Sequence, residues 1–262
     1  MEFDALEVVR DGPVAGVVLN RPDVRNAMNR EMIEELSSAF TALGGDDSVR
    51  VVVLSGKGRV FCAGADIAWM RDSADLTAEE NRQDAERLAE MLLALDECPK
   101  VVIGRVHGAA MGGGLGLLAV CDLVAAARDT RFSFSEARLG ILPSVIAPFV
   151  TAKIGLGQAR RFFLTAELFS SVEGREMGLV NEVVLEEYLD TAVRRWVDNI
   201  LLNGPHALAE AKTLLRTLPQ MKRSETIRHC IETTARVRTS AEGQEGLRAF
   251  LEKRTPAWRE EE

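Results

Sequence analysis

At 262 residues, with 47% hydrophobic and 27% charged side chains, the chain has the composition of a globular protein large enough to bury its own core, which excludes disordered, collagen-like and fibrous classes. Its 40 acidic residues outnumber 32 Lys and Arg, giving a formal charge of -8. An acidic surface repels phosphate backbones and anionic lipid, so neither nucleic acid nor a membrane is expected as a partner.

The segment Met1 to Asp11 is acidic and alternating, without a basic start or an apolar run, so no secretory signal is expected and a cytoplasmic location is. The four cysteines, Cys62, Cys98, Cys121 and Cys230, lie far apart with no CxxC pair. They suggest neither a metal site nor a disulfide framework, and they fit a reducing compartment.

In chain order, Phe3 to Arg10 and Pro13 to Asn20 read as strands joined at Asp11-Gly12, a dipeptide that favours a hairpin. Met32, Ile33, Leu36, Phe40 and Leu43 then recur at helical spacing, with Asn29 placed to cap that helix and Gly44-Gly45 to end it. Val51 to Leu54 reads as a strand buried on both faces. Thr77 and Glu80 form a capping box for a helix whose inner face carries Leu88, Met91, Leu92 and Leu95 and which closes at Pro99. Val101 to Val106 and Leu123 to Ala127 read as parallel strands either side of a Gly-rich stretch and helix. From about Val145 the expected elements are almost all helical, over Val145 to Ile154, Glu186 to Leu202, His206 to Leu218, Glu225 to Val237 and Ala241 to Lys253.

Familiar catalytic patterns are missing. His107, His206 and His229 have no serine elbow or HExxH around them, and Gly112-Gly113-Gly114-Leu115-Gly116 matches neither GxGxxG nor a P-loop. A glycine cluster at a helix start does expose unpaired N–H groups at the positive end of a dipole, the geometry of an oxyanion hole. A second loop of small residues, Phe61 to Ile67, could supply another donor, although glycines at such spacing equally well serve tight turns.

NRPDVRNAMN (Asn20 to Asn29), FCAGADI (Phe61 to Ile67), HGAAMGGGLGL (His107 to Leu117), FSFSEARLGILP (Phe132 to Pro143) and FLEKRTPAW (Phe250 to Trp258), in that order, resemble the enoyl-CoA hydratase/isomerase, or crotonase, superfamily over nearly the whole chain. The resemblance implies an α/β fold with a ββα spiral catalytic core, residues 1–195, and a helical C-terminal trimerisation region, residues 196–262. It implies acyl-CoA thioester substrates, a homotrimer or dimer of trimers, and no metal or redox cofactor, coenzyme A being part of the substrate. Matched motif by motif, the oxyanion donors fall on the N–H groups of Ala65 and Gly113 and the catalytic acid/base on Glu136.

Coenzyme A binding then falls on Arg25, on backbone groups of Ala63, Ala65 and Ile67, and on Phe250 and Lys253 of a neighbouring subunit, with Trp69 and Met70 expected to line the acyl pocket. Where two-glutamate hydratases carry a first glutamate, this chain has Gly116. A single carboxylate suffices for a 1,3-proton shift, so a Δ3,Δ2-enoyl-CoA isomerase stands beside a 2-enoyl-CoA hydratase, and a non-catalytic acyl-CoA-binding paralogue beside both. GADIAWM, LTAEENRQDAERLAEML and SEARLGILPSVIAPFV look like the bacterial methylglutaconyl-CoA hydratase-like branch. Asp66 is a candidate second acid or a helix cap, and Arg71 and Arg138 are candidate partners for a distal substrate carboxylate. RNA-binding relatives of that branch carry a lysine-rich first helix, and here that helix has no lysine.

Overall fold

The computed structural model describes residues 3–73 and 75–259. Strands β1 (Leu6–Asp11) and β2 (Val14–Leu19) form the expected antiparallel hairpin. Helix α1 (Arg30–Gly44) starts where the Asn29 side chain accepts the Met32 N–H at 3.1 Å. Its five periodic apolar residues are all buried. Next come β3 (Val51–Gly56), α2 (Ile67–Ser73) and α3 (Ala78–Asp96), the last opened by the reciprocal Thr77–Glu80 capping box. Then follow β4 (Val101–Val106), β5 (Ala109–Met111), α4 (Gly113–Val120), β6 (Leu123–Ala127), β7 (Arg131–Ser133), a short 3₁₀ turn at Glu136–Leu139 and α5 (Ala147–Thr165). The chain closes with β8 (Phe169–Ser170), α6 (Ser171–Glu176), β9 (Glu182–Val184), α7 (Leu189–Leu201), α8 (Pro205–Thr217), α9 (Arg223–Thr239) and α10 (Ala241–Glu252).

The main sheet has the order β1-β2-β3-β4-β6-β9 and is parallel from β2 onward. A second sheet, β5-β7-β8, stands apart from it. Beyond Val145 the chain is almost all helical, as expected, with only the short β8 and β9 among the described residues; β9 pairs with β6 at the sheet edge, and the short strands β5, β7, β8 and β9 are not among the expected elements. Elements of two or three residues hold no full period, so neither apolar alternation nor a helical stripe can mark them.

Both faces of the main sheet are covered, which is why β3 reads as a continuous apolar run. Val52 and Leu54 pack into one cluster with α1, α3, α4 and the phenylalanines of the small sheet. Val51, one residue out of phase, packs with Ile103 and Ala125 against Leu189, Val193, Val197 and Ile200 of α7. Helix α7 thus runs across position 195 with residues on both sides seated on one sheet face. The later helices are tied to this core by polar contacts. Lys212 reaches Asp122 at 2.6 Å and the Lys100 carbonyl at 2.7 Å, and the Trp258 indole N–H donates to the Leu202 carbonyl at 3.2 Å.

Candidate active site

Three chain segments run side by side and in the same direction. Cys62 pairs parallel with Ala110, and Ala110 pairs parallel with Phe132. Parallel segments deliver their following residues to the same end, so Ala65, Gly113 and Glu136 emerge together beyond the small sheet. The unexpected strands β5 and β7 are what align them. Further hydrogen bonds lock the alignment: Met111 N–H to Cys62 carbonyl at 3.0 Å and Gly112 N–H to Ser133 carbonyl at 2.9 Å.

The N–H groups of Ala65 and Gly113 have no acceptor among the described residues. Ala65 sits in an isolated parallel bridge in which Met28 donates to the Gly64 carbonyl and accepts from Asp66, leaving the Ala65 N–H on the opposite side. Gly113 is the first residue of α4, where backbone donors lack intrahelical partners. Beside them, Glu136 is half-buried and its Oε2 has no hydrogen-bond partner among the described residues. Burial pushes its carboxyl above the ordinary glutamate value. Its Oε1 lies only 3.0 Å from where a Cβ on Gly112 would stand. A half-buried carboxyl beside Gly112 and two N–H groups without acceptors, from neighbouring parallel segments, form an arrangement that can hold an anion on a carbonyl oxygen.

The enoyl-CoA hydratase/isomerase family model matches residues 10–261 of the chain. The chain belongs to the enoyl-CoA hydratase/isomerase family. It is 30% identical to the crotonyl-CoA hydratase of Syntrophomonas wolfei, with 97% of each chain covered. Among solved structures, an enoyl-CoA hydratase from Shewanella pealeana superposes with a TM-score of 0.95 at 38% identity, covering 98% of this chain and 97% of that one. An enoyl-CoA hydratase of Mycobacterium smegmatis superposes at 0.92 with 34% identity, covering 97% and 99%. The α/β crotonase fold and an acyl-CoA enzyme of the hydro-lyase type follow from these matches.

Where two-glutamate hydratases are expected to hold their first glutamate, this family member has more than a missing side chain. A Cβ on Gly116 would overlap Ile146 Cγ2, stand 3.1 Å from Ile146 Cβ and 3.6 Å from Leu92 Cδ2. The volume is filled by hydrocarbon. Gly116→Glu should therefore cost about 3 kcal/mol or more, through overpacking and a buried charge without a partner; urea unfolding measures it, and a loss below about 1 kcal/mol would show that the site relaxes freely.

Asp66 resolves as a cap. Its Oδ1 accepts the Ala68 N–H at 2.8 Å and its Oδ2 pairs with Arg21 at 2.9 Å. Burial pushes this carboxyl up, but the Ala68 N–H and the Arg21 guanidinium more than offset it and hold it below the usual carboxylate value. Burial also pushes the Cys62 and Cys121 thiols up to about 12, so neither is a thiolate nucleophile near neutral pH. The Trp69 indole N–H donates to the buried Asp84 carboxylate at 3.2 Å, which also accepts from Arg30 and Arg87 at 2.8 Å each and so pins α2 to α1 and α3. Arg30 and Trp69 are far from Asp84 in the chain, so the junction leaves no local pattern in the sequence.

The residues expected to meet coenzyme A fall in two groups. Arg25 is exposed in a left-handed conformation, and its carbonyl accepts the Ala63 N–H at 3.0 Å, laying the first loop over the loop of Ala65. Ile67 is 76% exposed on the same stretch. Phe250 and Lys253 lie at the far end of α10, and Phe250 is 81% exposed, so it does not pack in the core of its own chain. No hydrogen bond or ion pair joins this second group to the first among the described residues.

Proposed function

We propose that this protein is a 2-enoyl-CoA hydratase that works with Glu136 as its single acid/base. The observation that carries the reading is the half-buried Glu136 carboxyl, its Oε2 without a hydrogen-bond partner among the described residues, beside Gly112 at the N-cap of α4. In the forward step the Glu136 carboxylate takes a proton from water as the water oxygen bonds to C3. The C2–C3 π electrons move to the thioester oxygen, which the Ala65 and Gly113 N–H groups hold as an enolate. The enolate then takes the proton back from Glu136 at C2, and the net change is water added across the double bond. No electron acceptor is consumed and the only co-reactant is water.

A second reading, Δ3,Δ2-enoyl-CoA isomerisation, is favoured by the hydrocarbon at Gly116: the same carboxylate would remove a proton at C2 and return it at C4. For the acyl group we favour a branched or glutaconyl chain such as 3-methylglutaconyl. Arg71 on α2 and Arg138 in the turn of Glu136 are both exposed on the two segments flanking the site, within the stretches that would meet a distal carboxylate. Coenzyme A is assigned to Arg25, the backbone at Ala63 and Ile67, and Phe250 and Lys253 of a neighbouring copy in a homotrimer or dimer of trimers. The exposed Phe250 and Leu251, at 81% and 77%, support that shared site. No helix among the described residues is long and apolar enough to cross a membrane, and we assign the enzyme to the cytoplasm.

The test is turnover of crotonyl-CoA, 3-hexenoyl-CoA and 3-methylglutaconyl-CoA, read by mass spectrometry. A 3-hydroxyacyl-CoA from the first or third supports hydration. A 2-enoyl product from 3-hexenoyl-CoA alone replaces it with isomerisation, and binding without turnover marks a non-catalytic acyl-CoA binder.

The pH profile carries a signed expectation. Hydration needs Glu136 as the carboxylate, and burial raises its pKa above the ordinary 4.5. Activity should be lost as pH falls through that raised value, so the acid limb of kcat/KM lies above 4.5. An acid limb at or below 4.5 would mean that Glu136 is not the titrating base.

A further inference from the structure

Helix α4 carries the Gly113 donor at one end, and its other end carries a charge that the mechanism above does not use. Lys153, from α5, donates through Nζ to the Leu118 carbonyl at 3.0 Å and the Cys121 carbonyl at 2.5 Å. These belong to the terminal carbonyls that a helix leaves without N–H partners. We propose that Lys153 is a positioning residue for the oxyanion site, anchoring the C-terminal end of α4 and adding positive potential along its axis toward the Gly113 N–H.

Helix α4 needs such an anchor. It holds glycine at 113, 114 and 116, which weakens it intrinsically, and no side chain caps its start. Its direction is therefore set by what it packs against, and α5 holds it at two points, Ile146 at the N-cap of α5 against Gly116 and Lys153 at the far end. The groups facing the ammonium are the Cys121 thiol, Asp122 and Asp96. Burial keeps the thiol neutral and raises the Asp96 carboxyl, while Asp122 is already engaged by the Val102 N–H at 2.7 Å and by Lys212. Burial lowers the Lys153 amine, and the carboxylates of Asp122 and Asp96 oppose that shift. An eight-residue helix spans about 12 Å, a distance at which one charge in a protein medium changes the stability of an anion by a factor on the order of ten.

The proposal rests on the reading that Ala65 and Gly113 hold a thioester oxyanion, so the test reads that anion directly. Acetoacetyl-CoA ionises to a strongly absorbing enolate, and butyryl-CoA, which forms none, reports ground-state binding. In Lys153→Met the enolate fraction of bound acetoacetyl-CoA at fixed pH should fall about tenfold, with butyryl-CoA affinity unchanged within about twofold. Lys153→Arg, which keeps the charge, should restore most of the enolate. Lys153→Gln, run in parallel, gives the same reading should the Met variant fail to fold. An unchanged enolate fraction, a parallel fall in butyryl-CoA affinity, or no recovery with Arg would overturn the assignment. Wild-type protein that binds neither thioester would overturn the enoyl-CoA reading itself, and the role of Lys153 with it.

Discussion

Replacing Glu136 with Gln should lower kcat for enoyl-CoA hydration about 10² to 10⁴-fold while thioester affinity stays within a few-fold. The change is nearly isosteric, so the packing around the half-buried side chain survives, but an amide neither takes the proton from water nor returns it to C2. With Gly116 backed by Ile146 and Leu92, that position supplies no second carboxylate to rescue the step. Because the wild-type Oε2 has no hydrogen-bond partner among the described residues, the substitution breaks no internal network. Steady-state kinetics together with butyryl-CoA titration separate the two effects. A loss smaller than tenfold, by order of magnitude, would remove Glu136 from proton transfer.

Gly112→Ala should be the second most damaging change, and for a different reason. Gly112 sits at φ 47° and ψ -119°, a conformation that disfavours any Cβ, and that Cβ would stand 3.0 Å from Glu136 Oε1 and 3.4 Å from its Cδ. The backbone must move or the carboxylate must turn, and either displaces the acid/base from the Gly113 donor. A misplacement of this kind costs on the order of 10²-fold in kcat, with a stability loss of about 1–3 kcal/mol. Gly155→Ala is the matched control. Gly155 also has positive φ, 74°, but nothing lies within 4 Å of its added Cβ. It should lose comparable stability without the loss of rate, and equal rate losses in the two variants would trace the Gly112 effect to strain alone.

What the amino-acid pattern reveals here is what is encoded locally. The Asp11-Gly12 hairpin, the Asn29 cap and the Thr77–Glu80 box are settled within a few residues, and each stands as expected. Ala65, Gly113 and Glu136 are legible through the motifs that carry the resemblance, but the alignment of their segments comes from β5 and β7, which are too short to leave a periodic trace. In the sequence Gly116 reads as an absent carboxylate. That its space is taken by Ile146, from the start of α5, is a tertiary fact with no local signal. The same holds for Lys153, which reads as an ordinary helix lysine until its contacts with the end of α4 are known. Asp66 reads as either acid or cap, and the Ala68 N–H on its Oδ1, with the sequence-distant Arg21 engaging its Oδ2, decides for the cap.

The single-carboxylate mechanism is tested most directly by the stereochemistry of hydration. One carboxylate delivers both the hydroxyl and the C2 proton from the same side of the double bond. Crotonyl-CoA turned over in deuterium oxide should therefore give 3-hydroxybutyryl-CoA with deuterium at C2 on the face that carries the new hydroxyl, as read by NMR. Anti addition would require a second proton donor opposite Glu136, and that result would contradict the mechanism.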